Sequence, residues 1–146
     1  MHEHVRAERS AAAMMEADHA THWFGMTLSE IRPGYARMEL TVREDHLNGH
    51  GTCHGGVIFA LADSAFAFAC NSNNQRAVAQ TNQITYISPA KADEKLTATA
   101  EVITRSGRTG ITDVNVLGAD DRLIAVFRGA SRQIPGQHFQ EDAPES

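Results

Sequence analysis

The stretch from Val57 to Asn71 constrains the fold of this chain more than any other. Ala, Phe and Leu dominate it, and Ala and Leu favour a helix. Its apolar residues fall on every face of such a helix, so protein must surround it on most sides. The longest apolar run, Val57 to Cys70, contains Asp63 and Ser64 and is too short to span a bilayer. The sequence therefore predicts a core helix.

Four segments with β character follow this helix. Each is enriched in β-branched residues or alternates between apolar and polar residues. Short turn-rich links separate the segments and predict that consecutive strands are antiparallel neighbours. The segments are Val78 to Ile87, Lys95 to Arg105, Thr109 to Leu117 and Leu123 to Gln133.

Three elements are predicted before the helix. The Ala, Met and Glu content of Arg9 to His22 favours a first helix. We expect a strand from Trp23 to Ile31, which the turn at Arg32-Pro33-Gly34 would end. Tyr35 to Arg43 alternates cleanly, which predicts a strand with one buried face.

One apolar helix and several antiparallel strands pack together when a single curved sheet wraps its apolar face around the helix. The sequence thus predicts an α+β fold with one central helix. The open edges of such a sheet favour pairing with a second copy of the chain.

The bulk composition fits one soluble domain. The chain has 146 residues, 42% hydrophobic and 21% charged. The first residues are polar, and the last carry acids and no aliphatic residue larger than Ala. We therefore expect disordered ends at residues 1–9 and 137–146 and a folded domain at 10–136.

Charge and cysteine content bear on partners and location. The formal net charge is -5, and acidic and basic residues are interspersed along the chain. This pattern argues against nucleic acid as a partner, because phosphate binding needs a concentrated basic face. Two cysteines do not make a disulfide framework, and no signal peptide is visible. We expect reduced thiols, a cytoplasmic location and no membrane association.

The candidate chemistry lies at His54-Gly55-Gly56 and at Asp63. Two glycines at a helix start allow positive φ and close approach of a ligand, although a tight turn alone would also explain them. The first helical turn offers N–H donors and the positive end of the helix dipole. Asp63 is the only charged residue between His54 and Arg76, and burying an unpartnered carboxylate costs several kcal/mol. A functional role or a structural hydrogen-bond network would account for it.

The spacing between these two features predicts a shared site. Asp63 lies seven residues beyond Gly56, so the helical rise separates them by roughly 10 Å. One carbonyl group cannot contact both within one protomer. If both act on one substrate, the turn of one subunit must face Asp63 of another, which predicts a functional dimer.

Metal chemistry and serine chemistry are weaker hypotheses. His46, His50 and His54 are four residues apart, as in a helical metal site, but the neighbouring glycines disfavour a helix there. We expect no metal and no cofactor. Ser64 lies in no nucleophile-elbow motif, so a serine hydrolase is not expected.

Asn48, then His54-Gly55-Gly56, then Leu61-Ala62-Asp63 form a pattern that resembles the hotdog-fold acyl-CoA thioesterases, and especially their phenylacetate-degradation branch. The likeness extends from Gly25 to Ile134. It implies an antiparallel sheet of five or six strands around one long central helix, in a homodimer with a shared active site and further in a homotetramer. It also implies hydrolysis of acyl-CoA thioesters to free acid and CoA, with an arylacetyl group such as phenylacetyl or a hydroxylated form.

The resemblance also implies roles for single residues. Asp63 would activate water or attack the thioester directly, and the sequence leaves both routes open. The Gly56 N–H of the facing subunit would polarise the thioester carbonyl. Asn48 would help to hold the water or the carbonyl, and His54 would support the site by hydrogen bonding.

Position 79 departs from a related branch. Enzymes of that branch carry a serine that assists water where this chain has Ala79. Gln80, Thr81 and Asn82 lie close by in sequence and are candidate substitutes.

Coenzyme A has a negatively charged nucleotide end, so cations are expected near its groove. The resemblance points to Ser88-Pro89-Ala90-Lys91 and to the turn from Arg105 to Gly110, although ordinary turn chemistry is equally open. The implied substrate-binding residues are Gly55, Ser88, Pro89, Lys91, Arg108 and Thr109.

Two rival functions share this fold. One is a non-catalytic module that binds acyl-CoA or an acyl carrier without turnover. The other is a hotdog hydratase, which would need a His five residues after the Asp. Phe68 stands at that position, so the hydratase is disfavoured.

Overall fold

Six strands and three α-helices make up the fold in the computed structural model, which describes residues 1–141. The helices are α1 (Glu3–Glu16), α2 (His19–Phe24) and α3 (Gly55–Cys70). The strands are β1 (Thr27–Arg32), β2 (Tyr35–Thr41), β3 (Ala77–Tyr86), β4 (Lys95–Ser106), β5 (Thr109–Leu117) and β6 (Leu123–Gln133).

All six strands belong to one antiparallel sheet in the order β1-β2-β4-β5-β6-β3. The sheet curves around α3, whose Leu61, Ala62 and Phe66 are fully buried against it. Apolar residues that alternate along β2, β4 and β5 supply the facing side of this core. The predicted α+β architecture, a sheet wrapped around one long helix, is confirmed.

A glycine lets the central helix lie close to the sheet. Gly129 on β6 faces α3, and a Cβ built there would lie 2.8 Å from ring atoms of Phe66. That separation is shorter than any van der Waals contact, so only glycine admits the Phe66 ring at this distance. The pairing of Gly129 with Phe66 therefore sets the depth at which α3 lies in the sheet.

One face of α3 is less buried than its composition predicts. Half-buried or exposed residues recur three or four positions apart and form a stripe along the helix. The sequence predicts that protein surrounds the helix on most sides, and this stripe is the side that the single chain leaves less buried. We call it the α3 stripe; its members are Gly56, Phe59, Ala60, Asp63, Ser64 and Ala67.

The elements before β2 differ from prediction. The expected helix from Arg9 to His22 is two helices, because the Asp18 side chain accepts from the Thr21 N–H at 3.0 Å and caps a new start. Helix α2 then includes Trp23, which was predicted to open a strand. Gly25, with φ of 81°, ends α2 and delays β1 until Thr27.

The connection from β3 to β4 corrects a second prediction. The link after Ile87 was expected to join neighbouring strands, but β3 pairs with β6 and β4 lies between β2 and β5. The chain instead crosses the end of the sheet beside the start of α3, where Cys53 N–H donates to Ala90 C=O at 2.8 Å. This crossing brings the Ser88-Pro89 turn to the helix start.

The chain ends are more ordered than the sequence predicts. Helix α1 begins at Glu3, so the disorder expected for residues 1–9 is wrong from Glu3 onward. Beyond residue 136, Phe139 C=O accepts from Asn74 Nδ2 at 3.1 Å and Glu141 pairs with Arg6 at 2.7 Å. Residues 142–146, the rest of the tail expected to be disordered, lie outside the described residues.

The two edge strands differ in charge. Strand β1 carries Glu30 and Arg32, which form ion pairs on its surface, and α1 packs beside it. Strand β3 has no charged residue along its ten positions, and Val78 and Tyr86 on it are 47% and 48% exposed. Charges protect β1 from pairing with another chain, whereas β3 lacks that protection.

No helix within residues 1–141 is both long enough and apolar enough to cross a membrane.

Candidate active site

The loop before α3 is folded around Asn48. Its Oδ1 accepts from the His50 N–H at 2.9 Å and from the Thr52 N–H at 3.2 Å. Its own N–H donates to the Thr52 C=O at 2.8 Å. Within the protomer, Asn48 therefore shapes the loop, and its amide oxygen is already engaged.

His46 holds the same loop through two hydrogen bonds. Its buried Nδ1 accepts from the Arg43 N–H at 2.9 Å, and its carbonyl accepts from the His54 N–H at 2.8 Å. Burial, together with the nearby Arg43 cation, lowers the pKa of His46. A neutral imidazole thus holds the chain that leads into the helix start.

His54 caps α3. Its Nδ1 accepts from the Gly56 N–H at 2.8 Å, so a neutral ring carries its proton on Nε2. The Gly56 N–H, to which the resemblance assigned the thioester carbonyl, is therefore bound to His54 in this structure. The preceding Gly55 N–H donates to no acceptor within residues 1–141.

The glycine pair serves close approach and not an unusual backbone. Neither Gly55 nor Gly56 has positive φ, so that expectation is wrong. A Cβ on Gly55 would lie 3.2 Å from the Tyr86 ring, whose hydroxyl donates to the Gly55 C=O at 2.8 Å. Tyr86 thus ties the end of β3 to the start of α3, a role that no sequence motif signals.

Asp63 lies half-buried in the α3 stripe, opposite β3. Asn82 on β3 donates from Nδ2 to the Asp63 Oδ1 at 2.9 Å. Burial raises the pKa of the Asp63 carboxyl, and the Asn82 hydrogen bond acts against that rise. The structure thus places a carboxylate with a perturbed pKa on an open face, as expected for a general base or nucleophile.

The helix start and Asp63 stay apart within one protomer. They occupy the same helix, and the seven-residue rise keeps them roughly 10 Å apart. Asp63 does not line the cavity at the helix start described next. The geometric premise of the shared-site prediction therefore holds in this structure.

A cavity of about 330 Å³ opens beside the helix start, a size within the range of small-molecule sites. Burial and the Glu94 carboxylate raise the pKa of the Cys53 thiol in its wall to about 11, so Cys53 is a poor nucleophile at neutral pH. The lining is apolar with few polar groups, which suits an acyl or pantetheine chain. It consists of Cys53, Gly55, Ile58, Tyr86, Ile87, Ser88 and Pro89.

The Ser88-Pro89 turn is held in place by Arg122, a residue that no sequence motif marks. The Ser88 hydroxyl donates to the Leu123 C=O at 2.6 Å, and Arg122 donates to the Pro89 C=O at 2.7 Å. Arg122 also pairs with Glu94 at 3.0 Å. The only sequence signal was a lone Arg in a turn distant along the chain. Lys91 is exposed beside this cluster.

Arg108 and Thr109 lie at the other end of α3. Both line a small concavity together with Cys70, the last residue of the helix. The two groups of predicted substrate-binding residues are therefore separated by the length of α3 in one protomer. The structure brings Gly55, Ser88 and Pro89 together and leaves Arg108 and Thr109 apart from them.

The histidine spacing does not form a metal site within residues 1–141. His46 is buried, His50 is exposed, and no three His, Cys, Asp or Glu side chains there converge. Hydrogen bonds to Asn48 shape the loop between them, which is not helical. The four-residue spacing of these histidines therefore does not place them on one helix face.

A family model described as the thioesterase superfamily matches residues 50–125, which include α3, its start and Asp63. The chain belongs to the thioesterase superfamily. This member is 40% identical over 131 residues to the acyl-coenzyme A thioesterase PaaI of Escherichia coli, covering 90% of this chain and 94% of the relative. It is 36% identical over 106 residues to human acyl-coenzyme A thioesterase 13, covering 70% of this chain and 76% of the relative.

Solved structures agree with this membership. The E. coli PaaI protein from the phenylacetic acid degradation operon superposes on this thioesterase-superfamily chain with a TM-score of 0.91 and 38% identity. The match covers 93% of this chain and 99% of that one. The resemblance to the hotdog-fold thioesterases of the phenylacetate-degradation branch is thereby confirmed.

Proposed function

We propose that this protein hydrolyses acyl-CoA thioesters to a free acid and CoA, with arylacetyl-CoA such as phenylacetyl-CoA as the preferred class. The observation that carries the proposal is Asp63, a half-buried carboxylate with a raised pKa on an open helix face. The thioesterase names of the relatives and the phenylacetic acid operon of the E. coli protein supply the reaction and the acyl class.

The helix start would receive the thioester carbonyl. The Gly55 N–H has no acceptor within residues 1–141 and carries the positive end of the α3 dipole. The Gly56 N–H is the second donor, once the carbonyl oxygen takes the place of His54 Nδ1 or shares the donor with it. Donors in this position stabilise the negative oxygen that develops when the carbonyl carbon is attacked.

The active unit would be a dimer formed through β3. This edge strand carries no charge along ten residues and exposes Val78 and Tyr86. The α3 stripe adds the half-buried Phe59 and Ala60. A second copy would pair antiparallel with β3 and cover this apolar surface.

Such a dimer would bring a helix start and an Asp63 side chain together, although the two are roughly 10 Å apart within one protomer. A two-fold axis at the β3 edge runs the two α3 helices in opposite directions, side by side. The start of one helix then faces the middle of the other, where Asp63 lies. Asp63 of one protomer and the Gly55-Gly56 turn of its partner would then contact one thioester.

Coenzyme A would likewise bind residues of both protomers, from opposite ends of the two α3 helices. Ser88, Pro89 and Lys91 lie near the helix start, whereas Arg108 and Thr109 lie near its C-terminal end. In the antiparallel pair, the C-terminal end of one helix would extend roughly 10 Å past the start of the other, so Arg108 of one protomer would lie on the approach to the helix start of its partner. We extend the proposal to a homotetramer of two such dimers, and to the cytoplasm, where the free buried thiols Cys53 and Cys70 would stay reduced.

A panel of acyl-CoAs tests the proposed function. We expect thiol release from phenylacetyl-CoA and hydroxyphenylacetyl-CoA to exceed release from acetyl-CoA and long-chain acyl-CoAs. Asp63→Asn keeps the side-chain shape but removes the base, so we expect kcat to fall by roughly a hundredfold or more. Release is followed with a thiol reagent at several substrate concentrations.

The matched control is Ser64→Ala, the neighbour of Asp63 in the α3 stripe, which should retain activity. Tight binding of acyl-CoA without any hydrolysis by the wild type would identify a binding module instead. A folded Asp63→Asn variant with full activity would remove Asp63 from the mechanism.

A further inference from the structure

Tyr86 lies at the end of β3 and faces the start of α3. It pairs with Ala125 of β6, which is buried, and directly paired residues share a face of the sheet. Its hydroxyl donates to the Gly55 C=O at 2.8 Å, and its ring lines the cavity beside the helix start. One side chain therefore contacts both the backbone of the candidate site and the space that the proposed substrate would occupy.

The carbonyl that Tyr86 contacts belongs to the same peptide unit as the Gly56 N–H. That unit is planar, so a group that holds the Gly55 oxygen also fixes the direction of the Gly56 N–H. This N–H donates to His54 Nδ1 at 2.8 Å in the structure and is the second donor proposed for the thioester carbonyl. Tyr86 thus acts on a donor of the site through one rigid unit.

The glycine pair makes this restraint necessary and also makes it possible. Because Gly55 and Gly56 have no Cβ, the peptide between them rotates at little steric cost. A Cβ on Gly55 would lie 3.2 Å from ring and hydroxyl atoms of Tyr86, closer than an ordinary contact. The residue that loosens the peptide is therefore the one that admits the hydroxyl restraining it.

The Tyr86 hydroxyl also strengthens the donor. A carbonyl oxygen has two lone pairs, and an α-helix uses one of them through the N–H four residues on. The hydroxyl adds a second hydrogen bond to the Gly55 oxygen. Each such bond polarises the amide and strengthens the hydrogen bond of its N–H by roughly 10–30%. Burial raises the pKa of Tyr86, so the hydroxyl stays protonated and keeps donating at neutral pH.

We propose that Tyr86 is a positioning residue for the thioester carbonyl, because its hydroxyl holds the Gly55–Gly56 peptide with the Gly56 N–H directed at the oxygen that becomes negative. This inference rests on the proposed thioester hydrolysis. The negative charge develops only in the transition state, so loss of the hydroxyl lowers kcat and leaves KM nearly unchanged.

The test compares kcat and KM with phenylacetyl-CoA for the wild type, Tyr86→Phe and Tyr86→Leu. Tyr86→Phe removes only the hydroxyl, so we expect kcat to fall roughly three- to tenfold, the effect of one net hydrogen bond, at nearly constant KM. Tyr86→Leu also removes the ring from the cavity wall, so KM should rise as well. The matched control is Tyr35→Phe, which removes the hydroxyl of the other of the two tyrosines, on β2, and should keep wild-type kcat.

A second measurement observes the carbonyl group directly. A phenylacetyl-CoA analogue with a methylene group between sulfur and carbonyl is a ketone, which the enzyme cannot hydrolyse. The infrared C=O stretch of this ketone falls in frequency as hydrogen-bond donors polarise it. We expect the stretch of the bound analogue to lie lower in the wild type and in Tyr35→Phe than in Tyr86→Phe. A purely structural role of Tyr86 would leave this frequency unmoved.

Wild-type kcat in Tyr86→Phe, a rise in KM in place of a fall in kcat, or a lower kcat with an unmoved carbonyl stretch would overturn the inference while thioester hydrolysis stands. A wild type that hydrolyses none of the acyl-CoA panel would remove the proposed function itself. Thermal unfolding shows whether each variant is folded.

If Tyr86→Phe does not fold, 3-fluorotyrosine incorporated into Tyr35→Phe decides, because Tyr86 is then the one tyrosine of the chain. Ring fluorine makes a protonated phenol a stronger donor. At a pH where the hydroxyl is protonated, we expect the stretch of the bound ketone to fall below its frequency in Tyr35→Phe with ordinary tyrosine. Equal frequencies in the two proteins would overturn the inference.

Discussion

Single residues at the start of α3 work through hydrogen bonds that the sequence does not display. Asn48, His46 and His54 each accept a backbone N–H, and together they fix where the helix begins. Each side chain uses its acceptor atom for the fold, and of the first two helix-start donors only the Gly55 N–H is left for a ligand within residues 1–141. The preorganisation of this turn therefore depends on two imidazole rings being unprotonated at Nδ1.

His46 should make stability depend on pH. Its pKa is lowered in the folded state from the ordinary value of 6.5, so the folded protein binds fewer protons than the unfolded chain near that pH. Its contribution is present above about pH 6.5 and is lost as pH falls from there through the folded pKa. We expect the Tm measured in steps from pH 8 to pH 5 to fall on the acid side.

His46→Asn is the matched variant, because an Asn oxygen can accept from the Arg43 N–H but does not titrate in this range. Its Tm should fall less than that of the wild type between pH 6.5 and 5. His138, whose pKa is also lowered by burial, titrates in both proteins and cancels in the comparison. Superimposable pH profiles of Tm would contradict the role of His46.

At the scale of elements, packing of α3 against β6 depends on Gly129. Gly129→Ala would place a Cβ 2.8 Å from the buried Phe66 ring, and the dense interior leaves little room for the ring to move. We expect a loss of about 1–3 kcal/mol in the free energy of unfolding, measured by urea denaturation.

Two further variants sharpen that measurement. Gly49→Ala is the control, since a Cβ at Gly49 meets nothing within 4 Å. Phe66→Leu combined with Gly129→Ala should cost less than the sum of the single changes, because the smaller side chain relieves the overlap. Strictly additive costs would mean that Gly129 does not set the depth of the helix.

Strands whose apolar and polar residues alternate regularly were predictable from the sequence, whereas the order in which strands pair was not. The predicted bounds of β5 and β6 agree with the structure, because alternation and β-branched residues fix them locally. The pairing of β3 with β6 depends on contacts between distant segments, and short links gave the wrong neighbour. Helix α2 was not predicted as a separate helix because the first helix was predicted from the amino-acid composition of its segment. The signals that separate α2 are single residues, the N-cap Asp18 and the C-cap Gly25.

The candidate site was predictable in part for the same reason. Asp63 and the helix start stand out as a lone acid and a glycine pair in an apolar helix. Asn82 and Tyr86 carry no motif, and both reach α3 because of the register in which β3 pairs with β6, which shifts between Ala79 and Thr81. A contact of this kind depends on tertiary structure, so sequence spacing named Asn82 as one candidate among three and did not identify Tyr86.

At the scale of the whole molecule, the proposed shared site can be tested by mixing inactive chains. Asp63→Asn damages the base, and His54→Ala removes the cap of the helix start. In a hybrid dimer, one site receives both defects and the other receives neither. We expect a mixture refolded together to recover roughly a quarter of wild-type activity, because half of the dimers are hybrids with one intact site of two.

Each variant refolded alone is the control and should stay near its own low rate. Sedimentation at micromolar concentration should show more than one chain per particle for both. No recovery in hybrids whose formation is verified with a tag on one chain would place the complete site within one protomer.

The uncharged edge of β3 also ties the catalytic rate to the amount of protein. If association through that edge completes the site, each chain is inactive when it is dissociated, and turnover per chain falls on dilution once concentration drops below the dimer dissociation constant. Mass action then sets a threshold: a cell that holds few copies has less than proportional activity, and one that makes more gains both molecules and the active fraction of each.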